Sequence, residues 1–421
     1  MVDILLGLQW GDEGKGKIVD VLAPKYGTVA RFQGGPNAGH TLEFEGNKHV
    51  LHQIPSGIFR PDCLNVIGNG VVLDPIIFKR EIDGLSKYTI DFQKTLRISK
   101  KTALILPSHR LLDAAYEKSK GDAKIGSTLK GIGPTYSDKI ARQGLRLGDV
   151  LSPNFQKKYE ELVGKHKQIL SFYDYPADLE EAEAEFFAAV EFIKGFQLVD
   201  SEYVIHDRLQ QGERILAEGA QGSLLDIDFG SYPFVTSSST TAAGVCSGLG
   251  VAPSTIGEVY GIFKAYCTRV GSGPFPTELL DEVGEKMRKE GREFGSTTGR
   301  PRRCGWLDLP ALQYSIMLNG VTQLIMMKVD VLSIFDEIKI CTHYQLPDGT
   351  LTQQMPHDLC EEDVTPVYKS FQGWEEDLSP FRGYDEIPAS LKAYVEFIES
   401  EVKVPVTLIS TGPDRDALIT R

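Results

Sequence analysis

The chain opens on an apolar run, Ile4, Leu5, Leu6 and Leu8, which breaks into a charged glycine loop and resumes as Ile18, Val19 and Leu22. The change from a continuous run to helical spacing predicts a buried strand, a loop and a helix that Pro24 ends. The same order recurs. Residues 29–32 predict a short strand followed by QGGPNAGH, with a hairpin turning at Gly46 and Asn47. Residues 63–67 predict another strand, and Asp74-Pro75 caps and starts a helix through Phe78. Residues 104–106 read as a strand and 110–118 as a helix. Two or three amphipathic helices fit 153–211, with 179–192 the clearest, and no chemistry is read there. Strand patterns return at 214–217, 257–267, 321–327 and 404–409, and helical patterns at 279–289 and 309–318.

Strands that end in glycine or polar loops and lead into helices predict an α/β fold. Its centre is a large, mostly parallel sheet with flanking helices and ligands at the strands' carboxyl ends. The loops at Gly11, Gly34, Gly219, Lys328 and Ser410 then converge on one crevice. With no internal repeat and no low-complexity linker, residues 1–421 read as one domain with a mainly helical insertion at about 110–211.

The 421 residues carry 45 basic and 58 acidic side chains, a net charge of -13. That balance argues against nucleic acid or an anionic membrane as a partner, so any anion site is local. Six cysteines, with no C-x-x-C pair, suggest neither a zinc site nor a disulfide framework. Asp3 interrupts the place of a signal-peptide core, and no apolar run is long enough to span a bilayer, so the cytoplasm is the expected compartment.

Gly11, Gly14 and Gly16 let backbone amides approach an anion at a helix N-terminus, with Lys15 and Lys17 beside them. Gly11, Gly16 and Lys17 are in register with G-x-x-x-x-G-K-[ST], but Ile18 replaces the hydroxyl that would hold Mg²⁺. Asp12 is the nearest alternative oxygen. Thr128, Lys130, Arg142 and Arg146 are further candidate phosphate contacts, and Arg300, Arg302 and Arg303 suggest carboxylate or phosphate capture. Lys328-x-Asp330 after an apolar strand fits guanine, whose ring N–H and exocyclic amine both donate to a carboxylate.

Together QWGDEGKGK, NAGHT, KGIGPTYSDKIAR, EGAQGSLLDIDFGSYPFVTSS, TTGRPRR, KVDVL and STGPDR resemble the adenylosuccinate synthetase family over essentially the whole chain. The resemblance implies that family's P-loop-like fold and a GTP-dependent ligase of AMP synthesis. The enzyme would join IMP and L-aspartate through a 6-phosphoryl intermediate, with one Mg²⁺ per subunit. It implies Asp12 as the base at N1, His40 as the acid at O6, and Lys15 and Gln221 as further catalytic groups. The metal would lie on Asp12 and Gly39. GTP would lie on Gly11, Asp12, Glu13, Gly14, Lys15, Gly16 and Lys17, on Gly39, His40 and Thr41, and on Arg302. Its base would meet Lys328, Val329, Asp330, Ser410, Thr411 and Gly412. IMP would contact Asp12, Lys15, Asn37, Ala38, Gly39, His40, Thr128, Gln221, Thr236 and Arg300, with Arg142 supplied by the other subunit of a homodimer. Aspartate would meet Ser296, Thr297, Thr298, Gly299, Arg300 and Arg302.

Pro36, Phe229 and Pro301 depart from the family pattern. Two other classes share parts of it. A regulatory GTPase would need the first loop and K-x-D but not TTGRPRR, and a GTP-dependent kinase would hydrolyse GTP only with its own acceptor.

Overall fold

The computed structural model describes residues 1–44, 46–295 and 299–421. Strand Val2–Gly7 is buried at every position. Successive side chains point to opposite faces, so Val2, Ile4 and Leu6 enter one core and Leu5 another. The second core also takes Ile18, Val19 and Leu22 of helix Lys15–Leu22. Burial on both faces is why the strand reads as a continuous apolar run.

Among the described residues the largest sheet has ten strands. In order across it these are Leu418–Thr420, Val406–Ser410, Gln323–Met327, Ile256–Lys264, Val2–Gly7, Ile215–Glu218, Thr28–Arg31, Leu64–Ile67, Leu96–Ser99 and Leu198–Val199. Neighbours run parallel except at the antiparallel edge of Leu418–Thr420. Gly11, Gly34, Gly219, Lys328 and Ser410 all lie at carboxyl ends of these strands. No helix among the described residues is long and apolar enough to cross a membrane.

Helices Pro107–Ser119, Ile132–Ala141, Phe155–Phe172, Glu180–Ile193 and Ser201–Gln210 lie between Leu96–Ser99 and Ile215–Glu218. Leu162, Val163, Phe186 and Val190 share a core with Phe78 and Ile98, so the sheet's flank and the helices bury one surface together. The stretch is not wholly helical, because Leu198–Val199 returns to extend the sheet.

Several boundaries differ from the periodicity. The helix after Asp74 runs Pro75–Leu85, past Phe78, because Ile82 and Leu85 continue its buried face. The strand expected at 104–106 is only Ala103–Leu104, and it pairs with Val72–Leu73 off the main sheet. The strand expected at 257–267 is two: Ile256–Lys264 stays in the sheet, while Cys267–Arg269 pairs with Arg303–Gly305. Antiparallel Glu337–Gln345 and Thr365–Gln372, and helix Ala389–Val402, lie where no element is predicted. Exposed and buried positions mix along Glu337–Gln345, and Thr365–Gln372 has no buried position, which leaves no long apolar run to read.

Candidate active site

A cavity of about 850 Å³ opens beyond the carboxyl ends of the strands. Its wall includes Gly11 to Lys17, Asn37 to Thr41, Thr128, Gln221, Thr236, Arg302, Lys328, Asp330, Ser410 and Gly412. Around it lie buried polar atoms with no partner: both amide atoms of Gln221, Asn37 Oδ1, His40 Nε2 and Asp330 Oδ1. Each would cost roughly 1–3 kcal/mol if left unpaired, so their gathering on one wall points to a polar ligand. Gln221 is also held at φ 57°, a left-handed conformation that L side chains rarely adopt.

The first loop is drawn tight by Glu13, whose Oε1 accepts from Gln9 N at 3.2 Å and Gly11 N at 2.9 Å. Lys15 donates to Glu13 Oε2 at 2.6 Å. Gly14, at φ 97°, starts helix Lys15–Leu22 with no side-chain cap, which leaves first-turn amides for an anion. A Cβ on Gly16 would sit 2.9 Å from Thr41 O, so only glycine lets strand His40–Phe44 lie against the loop. Lys17, in register with the Walker lysine, lines the cavity and reaches across to the loop after Val406–Ser410. Its Nζ donates to Ser410 Oγ at 2.8 Å and to the carbonyls of Gly412 and Ala417 at 2.9 Å each. Burial pushes its pKa down to about 8 despite nearby acids.

Asp12 stands inside the loop at φ 58°, and its Oδ2 accepts from Arg302 Nε at 2.7 Å. Arg302 Nη1 also reaches Glu293 Oε2 at 2.6 Å. Buried Lys264 donates to both oxygens of Glu293, at 2.9 and 3.0 Å, and Lys328 Nζ lies 3.2 Å from it. Burial works against the Asp12 carboxylate, but Arg302, Lys264 and Lys15 outweigh it and hold the carboxyl below its ordinary value. Asp12 is therefore ionised, the form a base requires.

His40 Nδ1 faces Glu218 Oε1, and Glu218 also accepts from Ser56 N at 2.8 Å and Ser56 Oγ at 2.6 Å. Burial opposes the Glu218 charge, but His40, then Arg31 and the Ser56 bond, hold it below its ordinary value. An ionised Glu218 only accepts, so the imidazole proton sits on Nδ1. Burial, with Arg31 and Lys15, pushes His40 down to about 4 despite Glu218. The ring is thus neutral at pH 7, with the Nε2 lone pair unpartnered.

At the other end, burial raises Asp330 above its ordinary value even with Lys328 and Lys17 near. Lys328 is left-handed at φ 61° and donates to Gly291 O. Val329 and Thr411 are buried beside this end. Thr236 N is tied to Leu225 O at 2.9 Å, which sets its segment beside the glutamine. Ala38 N donates to Gly35 O at 3.1 Å and its carbonyl accepts from His52 Nδ1 at 2.6 Å.

Arg142 does not line its own chain's cavity; it is exposed, at φ 63°, and ends helix Ile132–Ala141. Gly299 and Arg300 are exposed, and Arg300 reaches the carbonyls of Gly126 and Ser127. Ser296, Thr297 and Thr298 lie outside the described residues. Of the departures from the family pattern, Phe229 is half exposed; its N–H donates to Asp226 Oδ1 and its carbonyl accepts from Tyr314 OH, each at 3.2 Å.

Sequence reasoning missed Glu218, Glu293, Lys264 and Arg31. Glu218 and Arg31 each close a strand buried at every position and Lys264 closes one buried over its last four, and a charged group at such a position is a signal that could have been used. Nothing in the pattern marks Glu293.

Among the described residues, the group His109, Asp138 and His166 has metal-like spacing, with ligand atoms within 4.8 Å. Only His166 of the three lies in the 153–211 stretch where no chemistry is read. Leu106 N donates to His109 Nδ1 at 2.9 Å, which places the ring proton on Nε2, facing Asp138 Oδ2 at 2.9 Å. A protonated nitrogen cannot ligate, so the group is a clamp between helices Pro107–Ser119, Ile132–Ala141 and Phe155–Phe172.

The family model for adenylosuccinate synthetase matches residues 4–419. The adenylosuccinate synthetase of Cytophaga hutchinsonii is 64% identical over 417 residues, 98% of this chain and 96% of the relative. That of Flavobacterium johnsoniae is 61% identical over 422 residues and the full length of both. The solved structure of fully ligated adenylosuccinate synthetase from Plasmodium falciparum superposes with a TM-score of 0.94 at 39% identity, covering 100% of this chain and 99% of that one.

Proposed function

The chain belongs to the adenylosuccinate synthetase family, and from that premise we propose how its residues divide the reaction. It is a GTP-dependent ligase that joins IMP to L-aspartate and forms adenylosuccinate on the way to AMP. Guanine is assigned to Lys328, Val329 and Asp330 with Ser410, Thr411 and Gly412, and the triphosphate to residues 11–17 and 39–41 with Arg302. IMP is assigned to Asn37, Ala38, Thr128, Gln221, Thr236 and Arg300, and aspartate to residues 296–300 and Arg302. The single observation that carries this reading is the row of unpartnered atoms on Asn37, His40, Gln221 and Asp330 around an ionised Asp12.

In this reading Asp12 removes the proton from N1 of the purine, which raises electron density at O6 for attack on the γ-phosphorus. Lys15 and the loop amides stabilise the transferring phosphoryl group, where positioning and electrostatics do most of the catalysis. The 6-phosphoryl group then leaves as the aspartate amine attacks. Glu218 fixes the His40 tautomer, so His40 donates from Nε2 only after gaining a proton, which bound anionic phosphate favours. Arg302 must also exchange Asp12 for substrate carboxylate or phosphate before Asp12 acts.

Mg²⁺ suits the hard oxygens of Asp12 and the Gly39 carbonyl beside the phosphate loop, where Ile18 offers none. When bound, such an ion neutralises triphosphate charge. The outward position of Arg142 supports a homodimer in which each subunit completes the other's IMP site. We read residues 1–421 as one catalytic domain, and its six free cysteines agree with a cytoplasmic setting.

The test mixes the protein with Mg²⁺, GTP, IMP and aspartate and omits each in turn. Adenylosuccinate is expected only in the complete mixture with GTP; tight GTP binding with no product would leave a regulatory GTPase instead.

A further inference from the structure

The wall that carries Thr128 is held by two acids that also line the cavity and that the reaction above does not use. Glu117 Oε2 accepts from Gly126 N at 2.9 Å and Ser127 N at 3.1 Å. One helical turn earlier on the same face, Asp113 accepts from Ser127 Oγ at 2.7 Å and Gly131 N at 2.9 Å. On the opposite side Arg300 donates to Gly126 O at 3.2 Å and Ser127 O at 3.4 Å. The loop thus turns its amides to helix Pro107–Ser119 and its carbonyls to Arg300, with Thr128 next in line.

The backbone needs this support. Gly126, Leu129 and Gly131 all have positive φ, at 88°, 55° and 75°, and Leu129 is not a residue that favours it. No residue from 121 to 130 is buried, so no apolar core fixes the turn. Carboxylates that accept two N–H groups make charge-assisted bonds that can do so.

We propose that Asp113 and Glu117 are positioning residues for IMP recognition, holding the 126–131 loop so that Thr128 and Arg300 meet the nucleotide together. The inference rests on the assignment of Thr128 and Arg300 to the IMP site. Without the two acids, the entropy of ordering the loop is charged against IMP binding alone. GTP contacts stand on other elements and are not drawn on.

Steady-state kinetics of the full-length enzyme, varying each substrate, tests this. Glu117→Ala and Asp113→Ala should each raise the KM for IMP by about 10- to 100-fold. The KM for GTP, kcat and Tm should change little. Glu117→Gln, which keeps an oxygen able to accept both amides, should restore most of the IMP affinity. The proposal is overturned if Thr128→Ala weakens IMP but neither acid variant does, or if the acid variants lower Tm and kcat and weaken all substrates alike. If Thr128→Ala leaves the KM for IMP unchanged, the IMP assignment itself falls and the proposal with it.

Discussion

At the end of the cavity assigned to guanine in our proposal, Lys328, Asp330 and Ser410 stand at the carboxyl ends of parallel strands, whereas Thr128 and Arg142 stand on a loop and a helix end outside the sheet. The first set inherits its place from a backbone ladder packed on Met326, Val329 and Ile409, all fully buried. The second depends on side-chain carboxylates, Asp113, Glu117 and Asp138, for its shape. Backbone ladders tolerate surface substitution, but a loop held by two acids is only as firm as those acids. The contrast suggests that substitutions will act on base selection at one end through direct contact and on IMP affinity at the other through supports.

The largest effect is expected where the ends meet. Asp12→Asn should lower kcat by roughly 10³-fold or more while the protein folds and binds GTP, as equilibrium binding would check; near-normal turnover would remove Asp12 as the base. At the sheet-borne end, Asp330→Asn should weaken GTP by about 1.5–3 kcal/mol, measured by calorimetry. At the other end Arg142→Ala should raise the KM for IMP by about tenfold. Mixing Arg142→Ala with Asp12→Asn subunits should then restore activity, since a mixed dimer holds one complete site. No recovery on mixing would count against donation across a dimer.

The smallest effects at neutral pH concern stability, and the two regions carry opposite signs. Burial raises Asp308, which caps helix Leu309–Asn319 on the sheet's side, to about 6. The native state then binds its proton more tightly than the unfolded chain, so this stability is full below about pH 4 and lost as pH rises through 6. It amounts to about 2–3 kcal/mol and should vanish in Asp308→Asn, as urea unfolding across pH would reveal. In the helical stretch, burial keeps His109 below its ordinary value even with Asp138 near. Burial opposes the Asp138 charge, but its bonds to the two histidines hold it well below the carboxylate range. The unfolded chain therefore takes up protons first, and stability there falls as pH drops below about 6.5. Hydrogen exchange should show helices Pro107–Ser119 and Ile132–Ala141 opening before the sheet on acidification; the reverse order would break the comparison.

Most of the sheet was legible because buried parallel strands read as apolar runs and because glycine loops follow them. The half-exposed strands Glu337–Gln345 and Thr365–Gln372 were not, since their burial comes from packing rather than from a run of apolar residues. Within the site, the phosphate loop and Lys328-x-Asp330 were readable as local patterns. The register of Lys17 was readable too, but its tie from the first helix to the loop at Ser410 was not, because the two are far apart in the chain.

The order of residues alone determined the strand–loop–helix units, the glycine loop that opens the first helix and the Lys328-x-Asp330 pattern after an apolar strand, because each is specified within a few neighbouring positions. Only the tertiary structure decided that Glu218 sets the tautomer of His40, that Arg302 and Lys264 keep Asp12 ionised, and that Asp113 and Glu117 shape the loop before Thr128. Charge and hydrogen bonding act through space over a few ångströms, between residues up to 400 positions apart in the chain, and no local pattern records that distance.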